Sequence, residues 1–212
     1  MKRFLSMISL VCACTLVQAQ TLLPPVWQSE TQKEVQVSTR TIAYLPPKRI
    51  VWQETTGESS IQGLENLLLP GNGQADLFDG QITRIKNGAT GKASFLLDFG
   101  RELQGGIQVV TGRSSKKEMK IRVRFGESVS EAMCDITPEN GATNDHAIRD
   151  FYLTLPWLGV AEIGNSGFRF VRIDLEEPDA ELSLKEIRAT FGYRNIPYLG
   201  SFKSDNERLN DI

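Results

Sequence analysis

The hexapeptide KIRVRF, residues 120–125, alternates charged and apolar side chains without a break: Lys120, Arg122 and Arg124 fall on one parity, Ile121, Val123 and Phe125 on the other. Successive side chains of an extended chain point to opposite faces, so the pattern predicts a half-buried β-strand. The same alternation marks Phe151, Leu153 and Leu155, and again Phe95, Leu97 and Phe99, each run bounded by Gly, Asn, Asp or Pro. Residues 49–53, 81–86, 106–111, 168–175 and 183–191 complete a set of about eight strands. That arithmetic predicts an all-β fold, an antiparallel β-sandwich of jelly-roll type. Phe168, Phe170, Val171 and Ile173 carry apolar groups on both parities, which calls for a bulge or for a central strand covered on both faces. A similar slip in phase occurs at Lys185-Glu186.

Outward from the strands, the chain divides by composition. Lys2 and Arg3, the apolar stretch to Val17 and the small residues of Val17-Gln18-Ala19 read as a secretory signal peptide, residues 1–19, cleaved after Ala19. Ser6, Ser9 and Thr15 interrupt that stretch, and no later segment reaches the roughly 18 apolar residues of a membrane span. The reading is therefore an exported protein, periplasmic or extracellular. Val11-Cys12-Ala13-Cys14 resembles a lipobox only loosely, because Cys12 fits its position poorly, so a lipoprotein comes second to ordinary secretion. Cys12 and Cys14 leave with the leader, and Cys134 then has no intrachain partner and reads as a small, half-buried hydrophobe.

Leu23-Pro24-Pro25 and Leu45-Pro46-Pro47 break regular structure, which makes residues 20–48 an extended segment along the surface. Residues 49–196 form the sandwich. Residues 54–80, polar and rich in Gly and Asn around Leu67-Leu68-Leu69, read as a long connection holding a short strand. Residues 197–212 are a linker and the start of something else. Ser204-Asp205-Asn206-Glu207 has the form of a capping box. The helix it opens is far shorter than the 12 to 15 residues, roughly, at which isolated helices become marginal, so it is expected to lean on chain beyond Ile212.

Chemistry is constrained mostly by what is scarce. Acidic residues outnumber basic ones, 26 against 24, and two of the basic ones sit in the leader, which argues against a nucleic-acid partner. One histidine, His146, is too few for a multi-histidine metal site, and no serine or cysteine nucleophile turn accompanies it. Beside Asp145 it reads as a loop-capping or domain-contact residue. Gly105-Gly106 precedes a strand rather than a helix and so cradles no phosphate. Glu127, Glu131, Asp135, Glu139 and Asp145 cluster between two strands as a solvated acidic loop; Asp135, Asn140, Asn144 and Asp145 do not have the spacing of a calcium loop. No catalytic residue, metal ligand or cofactor is assigned. The basic stripe Lys120, Arg122 and Arg124 is a solvated face or one paired with acids of a neighbouring strand. Trp27, Trp52 and Trp157 are the candidates for stacking on a sugar ring; Trp157, after Pro156 at a strand end, is the one placed to be exposed.

The runs LLDFGRELQGGIQVVTG (96–112), IRVRFGESVSEAM (121–133), NDHAIRDF (144–151), GFRFVRIDL (167–175) and PYLGSFKSDNERLNDI (197–212) occur in an order that resembles bacterial α-L-rhamnosidases of glycoside hydrolase family 78. The similarity covers about half of the chain, and its most specific part is the closing Gly-Ser-Phe-x-Ser-Asp-x-x-Leu. The resemblance implies that β-sandwich domains precede an α/α barrel whose acidic side chains direct water onto the rhamnose carbon with inversion. None of those positions falls within these residues, so it implies a non-catalytic portion whose partners are rhamnose-containing glycans and the helical barrel. It carries over Trp157, Asp145 and His146 only as sugar-binding or domain-interface positions. A stand-alone carbohydrate-binding module and a ligand-free scaffold are the other readings.

Overall fold

The computed structural model describes residues 40–75, 80–135, 149–194 and 199–210. Nine antiparallel strands form the fold: β1 Arg40–Leu45, β2 Arg49–Thr55, β3 Ser60–Gln62, β4 Thr83–Asn87, β5 Ala93–Thr111, β6 Glu118–Gly126, β7 Arg149–Pro156, β8 Val160–Leu175 and β9 Ala180–Arg194. The expected strands 93–99 and 106–111 are two halves of the single strand β5, β3 is the short strand expected within residues 54–80, and β1 is additional. Leu67-Leu68 falls in a 3₁₀ helix, Leu64–Leu68, not in a strand, because Leu64 and Leu67, one 3₁₀ turn apart, are both buried.

Two long strands organise the sandwich. In the first layer the order is β2, the first half of β5, the second half of β8, β6 and β7. In the second, the first half of β8 pairs with the second half of β5, which pairs with β9; the far side of β9 takes β4 and β3 at one end and β1 at the other. The KIRVRF strand behaves as its alternation demands. Met119, Ile121, Val123 and Phe125 are buried in the core with Phe95, Leu97, Val171, Ile173, Leu182, Leu184 and Ile187. Phe168 is the hub of that core, edge-on to Phe99 with ring centroids 5.5 Å apart and to Phe125 at 5.1 Å.

Both explanations for the mixed parity of residues 168–173 hold. Leu103 faces Phe168 and Asp98 faces Phe170, so four residues of β5 stand opposite Arg169 alone; β5 keeps its odd-numbered residues inward on both sides, and the bulge flips the inward parity of β8. Phe170 consequently points outward, where it packs with Leu96 and Ala132 beneath a short helix, α1, Val129–Met133. Gly126 lets α1 sit that close: a Cβ there would lie 2.5 Å from the Ala132 nitrogen. The phase slip near Lys185 is a second bulge, since Val110 faces Glu186 and Thr111 faces Leu184.

Capping chemistry differs from expectation at one helix and was overlooked at another. Ser204 does not cap Glu207. Helix α2, Glu207–Asn210, is capped by Asn206, whose Oδ1 accepts from the Arg208 amide at 3.1 Å, while Ser204 Oγ accepts from the Asn206 amide at 3.0 Å. Asn is as good an N-cap as Ser, and here it is the nearer one. The box-like arrangement occurs instead at α1: Ser128 Oγ accepts from the Glu131 amide and Glu131 Oε2 accepts from the Glu127 amide at 2.8 Å.

Candidate functional site

Of the residues singled out from sequence, Trp157 is the one the structure displays. It occupies the turn from β7 to β8, which is fixed from several sides. The buried Thr111 hydroxyl donates to the Pro156 carbonyl at 2.9 Å and accepts from the Gly159 amide at 2.8 Å. The Trp157 amide donates to the Lys117 carbonyl at 2.8 Å, and Leu158 takes a left-handed φ of 51° to close the turn. The indole is 44% exposed beside an open hollow of about 560 Å³ bordered by Ser114, Ser115, Lys116 and Lys117. A flat apolar ring on a rigid turn, with Lys117 and the Ser115 hydroxyl at its edge, is chemically a stacking platform with hydrogen-bond donors beside it. Trp52 is half-buried instead, with the Arg172 guanidinium 4.9 Å from its ring centre above the Leu96 cluster. Asp145, His146 and Trp27 lie outside the described residues, as do Glu139, Asn140 and Asn144 of the acidic loop.

The basic stripe is paired, not solvated. Arg124 is buried and donates to Asp174 at 2.8 Å and to Asp135 at 2.9 Å. Arg122 pairs with Asp150 and Asp135, which hold its guanidinium firmly protonated, and the Lys120 ammonium lies 4.4 Å from the centre of the Tyr152 ring. Burial alone would raise the Asp174 carboxyl, but hydrogen bonds from Ser94 and Arg124 outweigh it and keep the group below its ordinary range. Asp135 thus bridges two arginines whose charges Asp150 and Asp174 also meet. Among the described residues no group of three or more His, Cys, Asp or Glu side chains is arranged to hold a metal ion.

Two carboxylate clusters follow from the β5 bulge. Asp98, 1% exposed, accepts from Arg169 at 2.9 and 3.1 Å, from Arg49 at 2.8 Å and from the Gly100 amide at 2.7 Å. The Arg169 bonds above all hold it down to about 2. Glu102, four residues on, is raised by burial and then by the like charges of Glu127 and Glu131. The first cluster ties β2, β5 and β8 together; the second stores repulsion.

A larger hollow, about 650 Å³, depends on β1, a strand where the prolines of residues 20–48 predict irregular chain. It lies where β1, β5, β8 and β9 meet on the outer side of the second layer. Tyr44 and Ile42 of β1, Gln104 of β5, Glu162 and Asn165 of β8, and Gly192 and Arg194 of β9 line it. Behind Tyr44 the Arg188 guanidinium lies 4.1 Å from the ring centre, and Arg188 Nε donates to Gln108 at 2.8 Å. Gln108 in turn donates to Glu162 Oε1 at 2.6 Å.

No protein-family model matches the chain, and no curated protein sequence does. Among solved structures it is similar to a rhamnosidase from Klebsiella oxytoca with rhamnose bound, at 13% identity and a TM-score of 0.52, over 81% of this chain and 33% of that one. This chain therefore spans about a third of that enzyme's length, and the likeness establishes the sandwich fold they share. A GH78 family rhamnosidase of Bacillus sp. GL1 (17% identity, TM-score 0.43, 70% of this chain and 14% of that one) and a Streptococcus pneumoniae fucose binding module (12%, 0.44, 70% and 96%) are also similar.

Proposed function

We propose that this chain is a carbohydrate-binding β-sandwich, the non-catalytic portion of an exported, α-L-rhamnosidase-like glycoside hydrolase, with Trp157 as its sugar platform. The observation that carries the reading is the coincidence of two independent lines. The ordered motifs of residues 96–212 resemble family 78 rhamnosidases, and the fold extends over most of this chain onto a part of a rhamnosidase. In this reading residues 1–19 direct export, the sandwich supplies glycan contact, and residues 197–212 lead into the domain that holds the catalytic carboxylates. The sandwich's own task is to hold a rhamnose-containing glycan near that domain.

The Trp157 turn favours a second reading of the same surface, a carbohydrate-binding module that acts alone. Both readings predict binding and no hydrolysis. In affinity electrophoresis, rhamnogalacturonan oligosaccharides in the gel should retard the purified protein, and Trp157→Ala should weaken that retardation. An exposed aromatic platform contributes about 1 to 2 kcal/mol to such a contact, roughly ten-fold in affinity. Unchanged mobility of the wild type in every such glycan overturns the reading, as does hydrolysis of an aryl rhamnoside by this chain alone.

A further inference from the structure

Seven glycines lie within β-strands of the described chain, and five have a reason in the fold. Gly100, Gly105 and Gly164 have φ of 84°, 150° and 94°, the left-handed region where only glycine is at ease. A Cβ on Gly106 would lie 2.3 Å from the Gly164 carbonyl oxygen and one on Gly126 2.5 Å from the Ala132 nitrogen. Gly167, beside the bulge, would meet only the movable carboxylate tips of Glu102 and Glu127, at 2.9 and 3.3 Å. Gly192 meets nothing so close. Its φ is not positive, and the nearest heavy atom to a Cβ there is the Gln104 carbonyl oxygen at 3.8 Å, an ordinary contact. A glycine inside a strand weakens it, so one with no steric or dihedral cause marks a place where something outside the fold approaches the backbone closely.

What surrounds Gly192 identifies the visitor's chemistry. The residue faces Ile42 across the β1–β9 ladder and floors the 650 Å³ hollow described above, a volume within the range of small-ligand sites. Tyr44, 45% exposed, forms one wall and is held from behind by Arg188, so the ring is a fixed plate. Across the floor stands Glu162, one of whose oxygens is occupied by Gln108 while the side chain remains exposed. Gln104 and Asn165 add amide donors and acceptors beside it. β9 and β5 lie between Tyr44 and Glu162, so the aromatic plate, the flat glycine floor, the oriented carboxylate acceptor and the two amides match an oligosaccharide: the apolar face of one unit stacks on the ring and the hydroxyls of another donate to the carboxylate.

We propose that this hollow is a second glycan-binding site, separate from Trp157, with Gly192 as its floor, Tyr44 as its stacking plate and Glu162 as its hydroxyl acceptor. The inference rests on the carbohydrate-binding reading given above and adds a site to it. Two sites on one chain raise avidity for a polymer without altering affinity for a monosaccharide.

The test is isothermal titration of the full chain with rhamnogalacturonan oligosaccharides, comparing wild type, Trp157→Ala, Glu162→Gln and Gly192→Val. Gln at 162 still accepts from Gln108, and Val at 192 enters open space in a strand, so both variants should melt within a degree or two of wild type. Each is expected to lower the number of sites from two to one and weaken binding about ten-fold, and Trp157→Ala combined with Gly192→Val should abolish it. If Gly192→Val and Glu162→Gln fold and bind like wild type while Trp157→Ala abolishes binding, the second site is refuted and the sugar-binding reading stands. If wild type binds no oligosaccharide, both fall together. A Gly192→Val chain that fails to fold also refutes the inference, because it would show that the fold itself requires this glycine.

Discussion

Asp98→Asn is the sharpest perturbation available, because its effect depends on pH in a way that follows from the geometry. The buried carboxylate accepts from Arg169, Arg49 and the Gly100 amide, and its folded pKa is held down to about 2 from a value of 3.8 when unpaired. A carboxylate with a depressed folded pKa stabilises the fold fully above its unfolded pKa, and that stabilisation is lost as pH falls through the folded value. At about 1.4 kcal/mol per pKa unit the ionised form contributes roughly 2 kcal/mol at pH 7. It should contribute about 1 kcal/mol at pH 3 and almost nothing near pH 2. Arg49 and Arg169 keep 63% and 37% of their side-chain exposure, so the cations left behind are largely rehydrated and add little to the loss. Asn cannot ionise, so urea titrations of wild type and variant should show a gap of about 2 kcal/mol at pH 7 that narrows by about half at pH 3. A gap that stays constant between pH 7 and pH 3, or one below about 0.5 kcal/mol at pH 7, refutes the role assigned to this cluster.

Other expectations are shorter to state. Glu102 is raised by burial and like charge, so its ionisation opposes folding above its unfolded pKa, and Glu102→Gln should raise the melting temperature at pH 7 with no gain below pH 4. Gly164→Ala would place a Cβ 2.7 Å from Phe125 Cζ at a φ of 94°, and chemical denaturation should register a loss of about 2 to 4 kcal/mol. Ser128→Ala removes the α1 cap and should cost about 1 kcal/mol, visible as faster amide exchange at Glu131 and Ala132. Arg124→Met removes one of the two arginines on buried Asp174, leaving Arg172 at 2.9 Å, and should destabilise by about 1 to 3 kcal/mol, an effect that shrinks in the Arg124→Met, Asp174→Leu double variant.

The sheet was legible wherever one face is wet and the other dry. KIRVRF and the run around Phe151 give strand bounds within two residues and the run around Phe95 gives the start of β5, since period-2 alternation is a direct imprint of that asymmetry. The mixed parity at Phe168–Ile173 announced a bulge as well as a covered face, though it could not reveal that the cover is α1, a helix of five residues too brief to show a period. β1 escaped notice because Leu45-Pro46-Pro47 ends it abruptly, and with it went the Tyr44 wall of the larger hollow. Trp157 was legible because proline before a tryptophan at a strand end predicts an exposed ring. Glu162 and Gly192 are not: they border one hollow from β8 and β9, on either side of β5, and nothing in the local sequence records that.

The long strands β5 and β8 have one further consequence. Each contributes its first half to one layer and its second half to the other, so the hydrogen-bond ladders of both layers are printed on the same two pieces of backbone. Neither layer can come apart while the other stays whole. Exchange-protection factors in the two layers should therefore collapse at a single denaturant concentration, and a proteolytic nick in the 99–102 bulge should release the entire sandwich rather than a stable half.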